Sequence, residues 1–137
     1  MLWIKEKMKV WVRADALAND VCARVAKFPN AWGKHSLSDQ MVGSAGSIPD
    51  NIGEGCLGTN AEFINYLRIA RRSGNELQVQ VGRACSLGYL SGEERDGYLK
   101  ELEEIGKLIN GTVRYLKKRD KVKKKDKKKV KKRMCKV

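Results

Sequence analysis

The last 21 residues of this chain cannot join a hydrophobic core. Residues 117–137 hold 14 Lys/Arg against 2 Asp, a net of +12, whereas residues 1–116 hold 15 Lys/Arg against 14 Asp/Glu, a net of +1. A segment that is two-thirds cationic repels itself and has almost no apolar surface to bury, so it is expected to be extended or only marginally helical, a disordered arm. The folding falls to residues 1–116, which are long enough for a single core. The sequence thus divides into a bundle over 1–116 and a basic tail over 117–137.

Within the first part the apolar residues recur at three- and four-residue steps. From Ile4 the positions Met8, Trp11, Ala14, Ala18, Val21, Cys22, Val25 and Phe28 define one helical face, ending at Phe28-Pro29. Ser36 is placed to cap a second helix through Leu37, Met41, Ala45, Ile48 and Ile52. Pro49 lies inside that pattern, and with Gly43, Gly46 and Gly53 it weakens the helix, so close packing over Ser44–Ile52, Gly46 included, is expected to compensate. Thr59 with Glu62 and Ser91 with Glu94 match the S/T-x-x-E capping box and mark two more helix starts. The third helix carries Phe63, Tyr66, Leu67, Ala70, Ser73, Gly74, Leu77, Val81, Ala84, Cys85 and Gly88 on one face, and the fourth carries Tyr98, Leu102, Ile105, Ile109, Thr112 and Leu116. Four helices joined by short loops predict an all-α, up-and-down antiparallel four-helix bundle.

On the third helix Arg68, Arg72 and Arg83 fall opposite the apolar face, while Ile69 and Leu87 widen it on one flank. That flank is either the border of the core or a subunit interface. The four cysteines show no paired spacing and no C-x-x-C, which predicts free thiols. The lone histidine, His35, sits in a polar interhelical stretch, so no catalytic set is expected, and neither a metal nor another cofactor. With no export signal and no long apolar run, a cytoplasmic protein without membrane association is expected.

One group of residues carries a family likeness: Gln40, Ser47-Ile48-Pro49, Asn51-Ile52-Gly53-Glu54-Gly55, Phe63, Leu67, Ile69-Ala70-Arg71, Ser73 and Glu76-Leu77. Over about Trp11 to Leu116 the chain resembles the bacterial four-helix-bundle family that includes proteins encoded in intervening sequences of large-subunit ribosomal RNA genes. A related branch is the accessory variability determinant of diversity-generating retroelements. The resemblance implies a homopentamer tied to RNA or other nucleic acid, without known chemistry, and in the related branch a reverse transcriptase as partner. In the family signature Gln40, Asn51, Glu54, Arg71 and Glu76 are polar, and they are expected to form a hydrogen-bonded network that locks helices or subunits. Where family members often carry two basic residues after the glutamine, this chain reads Met41-Val42-Gly43-Ser44-Ala45, so a basic patch on the second helix is missing.

The tail then becomes the candidate binding element. Lys117, Lys118, Arg119, Lys121, Lys123, Lys124 and Lys125 form its first half, and Lys127, Lys128, Lys129, Lys131, Lys132 and Arg133 its second, with Lys136 beyond. Only Val122, Val130, Met134 and Val137 interrupt the charge with apolar groups, too little for a membrane arm, and phosphate is the better partner. The resulting expectation is a non-enzymatic, homo-oligomeric nucleic-acid-binding protein, RNA favoured over DNA, with Arg68, Arg72 and Arg83 extending the basic track. The alternative is an adaptor that docks a reverse transcriptase or another partner protein.

Overall fold

A computed structural model describes residues 5–31 and 33–135. Ile4, the expected start of the first helix, and Lys136 lie outside the described residues. After a short 3-10 turn at Lys5–Lys7, four helices follow: α1 (Lys9–Val25), α2 (Leu37–Gly55), α3 (Asn60–Ser86) and α4 (Gly92–Met134). Each packs against its neighbour in sequence, and α1 returns against α4, which makes an up-and-down antiparallel four-helix bundle. The α2–α3 seam is the most extensive and α1–α4 the slightest.

The helix starts follow from capping. The Ser36 hydroxyl accepts from the Asp39 N–H at 3.1 Å, and Thr59 from the Glu62 N–H at 3.2 Å. Ser91 accepts from the Glu94 N–H at 3.0 Å while the Glu94 carboxylate accepts from the Ser91 N–H at 3.1 Å, a reciprocal box. At Thr59 the hydroxyl instead donates to the Glu62 carboxylate at 3.1 Å, so the second box is only half formed. The first helix stops at Val25 rather than Phe28, because Pro29 disfavours helical backbone in the residue before it. Phe28 stays buried in the following turn, its ring 5.3 Å from that of Tyr89.

The core runs through all four helices, with Met41, Ile48, Ile52, Phe63, Leu67, Leu77, Ile105, Ile109 and Leu116 essentially sealed from solvent. Helix α2 continues through Pro49, which is itself buried. Between α2 and α3 the small hydroxyls meet: Ser47 and Ser73 share a hydrogen bond of 2.8 Å, and Ser44 donates to Glu76 at 3.3 Å. Close packing is therefore present, but not at Gly46, which is half-buried with room beside it, the nearest atom to a Cβ there being an Asp50 carboxylate oxygen at 4.0 Å. The tight position is Gly55, where a Cβ would sit 2.5 Å from the Cβ of Tyr66. Ile69 and Leu87, 45% and 54% exposed, lie outside the core of the single chain.

These two glycines separate in a stability measurement. Gly55→Ala should destabilise the bundle by about 1–3 kcal/mol, since the stem of Tyr66 has to shift. Gly46→Ala should stabilise it by about 0.5–1 kcal/mol, because a half-buried helical glycine with room for a methyl group is replaced without any clash. Urea denaturation of the two variants checks this, and equal midpoints would contradict the packing assigned to Gly55.

Candidate nucleic-acid interface

Helix α4 is far longer than the bundle it belongs to. Its 43 residues span about 65 Å against about 40 Å for the 27 residues of α3. Leu116 is its last buried residue, and Asp120, accepting from the Asn60 side-chain amide at 3.1 Å, is tied to the start of α3. Beyond Asp120 every described residue is exposed. The tail is thus not the extended, disordered arm its composition predicts but a helical continuation of α4 to Met134.

Two effects account for the difference. A helix growing from one already formed escapes the cost of nucleation, and Lys and Arg are good helix formers. Lys131, Lys132 and Arg133 also sit at the negative end of the helix dipole. Opposing them are like-charged pairs one turn apart, such as Lys121 with Lys125 and Lys124 with Lys128, each unfavourable by about 0.2–0.5 kcal/mol. Bound anions relieve that repulsion.

The charge on this extension has a side. At 3.6 residues per turn, Lys121, Lys124, Lys125, Lys127, Lys128, Lys129, Lys131 and Lys132 cover roughly 200° of the circumference with no acidic residue among them. Val122, Asp126 and Val130, at four-residue steps, share the opposite side with Arg133 and Lys123, which leaves that side a net +1 against the +8 of the lysine face. At the base Lys117 and Lys118 are exposed, and the Arg119 guanidinium lies over the Tyr115 ring at 5.8 Å. The lysine face continues down the bundle through Arg114 and Lys107, seven residues apart and both exposed. Sequence reasoning missed these two, although the seven-residue spacing Lys107, Arg114, Lys121, Lys128 was visible once α4 is taken as a single helix.

The arginines of α3 divide. The Asn60–Asp120 contact and a hydrogen bond of 3.0 Å from Arg71 to the Asn110 side chain fix the register of α3 against α4. Arg68 and Arg71 consequently stand level with Asn110–Arg114, and Arg72 lies one step further round α3. Arg83 is some 23 residues from Asn60, about 35 Å along the helix, so the structure does not bring it to the tail.

The polar signature residues do not form one network. Asn51 donates to the Ser47 carbonyl at 2.7 Å and to its hydroxyl at 2.9 Å, which joins it to Ser73. Glu76 reaches α2 through Ser44, and Arg71 reaches α4 through Asn110. Gln40 donates to the His35 carbonyl at 3.1 Å and steadies the α1–α2 loop, where His35 has φ 60°. Glu54 stands exposed to solvent, apart from the others.

A second polar feature lies on the α1–α4 seam. Arg13 pairs with Glu101 through bonds of 2.9 and 2.7 Å, and Arg24 with Glu94, the Arg24 guanidinium also donating to the Tyr89 carbonyl at 2.9 Å. Between the two pairs is an open cleft of about 560 Å³ floored by Ala16, Leu17 and Gly97. Burial, reinforced by the charge of Asp20 and a hydrogen bond to it, pushes the Tyr98 hydroxyl there up to about 12, so it stays protonated. Both arginines face carboxylates, which leaves the cleft without the surplus charge of the extension. Among the described residues no group of His, Cys, Asp and Glu is placed to hold a metal ion, and no helix is long and apolar enough to cross a membrane. The four cysteines form no disulfide with one another.

Comparison with known proteins places this geometry. The family of 23S rRNA-intervening sequence proteins matches residues 6–111. A solved structure from Bacteroides thetaiotaomicron, described as a protein of unknown function from the S23 ribosomal protein family, is similar with a TM-score of 0.70 and 25% identity. The similarity takes in 97% of that chain and 76% of this one. No curated protein matches the sequence. The family match ends before Lys117, so the cationic extension lies wholly beyond it.

The seam makes stability sensitive to acid. Hydrogen bonding from Arg24, then from the Ser91 backbone, holds the Glu94 carboxyl well below its ordinary range, at about 2. A carboxyl depressed in the folded state contributes stability that is complete above its unfolded value and lost as pH falls toward the folded one. The stability gap between wild type and Glu94→Gln should therefore narrow as pH falls from about 5 to about 2. Chemical denaturation at stepped pH measures it, and a constant gap would rule out this role for Glu94.

Proposed function

Because the chain belongs to the 23S rRNA-intervening sequence protein family, we propose that it is a non-enzymatic, self-associating protein of the cytoplasm that binds nucleic acid, RNA in preference to DNA, through the cationic extension of α4. One observation carries the reading: residues 121–137 hold 11 Lys/Arg against one Asp, and from Lys121 to Cys135 they project beyond the bundle with every side chain exposed. Such a charged rod, without an ion-pair partner among the described residues, suits a polyanion, and contacts of this kind read phosphate rather than base sequence. The family's tie to ribosomal RNA genes favours RNA.

Self-association, five subunits by the resemblance, is supported by the exposed Ile69, Val79 and Leu87 along α3. Several arms on one assembly act at high effective concentration, so weak single-arm binding becomes useful avidity. The adaptor alternative, in which the same exposed surface docks a reverse transcriptase, predicts that a partner protein and not the arm governs association with nucleic acid.

Deleting residues 121–137 tests the arm. The Asn60–Asp120 contact is kept, so helicity and subunit number should stay as in the full chain, while most RNA affinity is lost. Each phosphate neutralised releases counterion, so five contacts would give a slope of about 3.5–4.5 in log affinity against log salt, most of which the deletion should remove. Titration of labelled RNA at several salt concentrations, with light scattering for assembly, reads both. Unchanged affinity and slope would move binding onto the bundle.

A further inference from the structure

We propose that the α4 extension binds double-stranded RNA as an intact helix, its lysine face resting across the two phosphate rows that flank the narrow major groove of the A-form duplex. The inference rests on the reading of the extension as the nucleic-acid arm and adds the form of its partner. Three features of the extension carry it.

The first is sidedness. Lys124, Lys127 and Lys131 lie on one flank of the lysine arc and Lys125, Lys129 and Lys132 on the other, while the far side holds Val122, Asp126 and Val130 with only Lys123 and Arg133 as cations, a net of +1. A flexible single strand wrapping a rod would meet that far side on every turn, where the net charge is only +1 against +8 on the lysine face. A stiff duplex touches the rod from one side only.

The second is size. A helix about 10–12 Å across enters the B-form major groove, about 12 Å wide, whole, and its Val122–Asp126–Val130 side would then face a wall of phosphates. The A-form major groove is deep and too narrow to admit it. The helix can only lie over the mouth of that groove, where both phosphate rows are within reach of one face. The third is composition: residues 117–137 contain no Phe, Trp or Tyr, so the arm has no platform on which unpaired bases could stack.

Rigidity can be tested at constant charge. Full-length protein carrying Val122→Pro or Val122→Ala keeps every lysine, but only the former breaks the helix at the start of the projecting segment. Fluorescence anisotropy against a short blunt RNA duplex, one of its strands unpaired, and the DNA duplex of the same sequence gives the affinities. Circular dichroism and light scattering confirm an intact bundle. V122P should weaken duplex RNA binding by about tenfold or more and leave the unpaired strand within about twofold, whereas V122A changes neither. Lys128→Ala and Val130→Asp lower the net charge equally from opposite sides of the helix. K128A should weaken duplex binding more and reduce the salt slope by about 1. Wild-type affinity of V122P for the RNA duplex, equal effects of K128A and V130D, or a DNA duplex bound as tightly as the RNA one would overturn the proposal. Failure of the arm reading itself is distinct: deletion of residues 121–137 would then leave all three affinities unchanged.

Discussion

The seam between α2 and α3 governs where everything else stands. Ser44, Ser47 and Ser73 are small enough to let the two backbones approach, and their hydroxyls are satisfied across the gap. Gly55 then admits the stem of Tyr66, which fixes the height of α3 against α2. From α3 the positions pass to α4, because Ile48 and Leu102 converge beside Gly74, and Arg71 and Asn60 bond to Asn110 and Asp120. The point at which α4 leaves the bundle is a consequence of this chain of contacts.

The molecule separates its charges by helix face and by length. Along α1–α4, where apolar contact is slightest, Arg13 and Arg24 are each held by a carboxylate, and that part of the surface is close to neutral. Partly exposed pairs of this kind contribute modestly to stability, but they orient the two helices. On the opposite flank of α4 the lysines of the extension have no such partners among the described residues, and the one interior acid, Asp126, lies on the far side with the valines, Lys123 and Arg133. A polyanion would therefore meet the extension before any other part of the protein.

The helical state of the extension shows how context changes the reading of a segment. Taken alone, residues 117–137 are a self-repelling stretch that would not nucleate a helix. Attached to α4 they need only propagate one, and the balance shifts to the intrinsic preference of lysine for helix. The same continuity brings Arg114 and Lys107 into line with Lys121 and Lys128, a stripe that exists only if α4 is a single rod.

Local chemistry was fully legible in the sequence: the caps at Ser36, Thr59 and Ser91, the apolar faces and the division of charge at Leu116 depend on residues within a turn or two of one another, and they determined four helices and their antiparallel order. Contacts that join positions 70 or 88 residues apart, such as Arg24 with Glu94 and Arg13 with Glu101, leave no periodic trace, since many other arginines and glutamates could have met instead. Likewise, Gly46 and Gly55 look alike along the chain, and only packing decides that one has room for a side chain and the other meets Tyr66. Arg68 and Arg83 share a helical face, yet the register of α3 against α4 puts one beside the base of the extension and leaves the other near the far end of the bundle. Sequence thus determined the elements and the place of the charge, and tertiary structure decided the distances, because a helix repeats its faces every turn whereas a neighbouring helix selects only one of them.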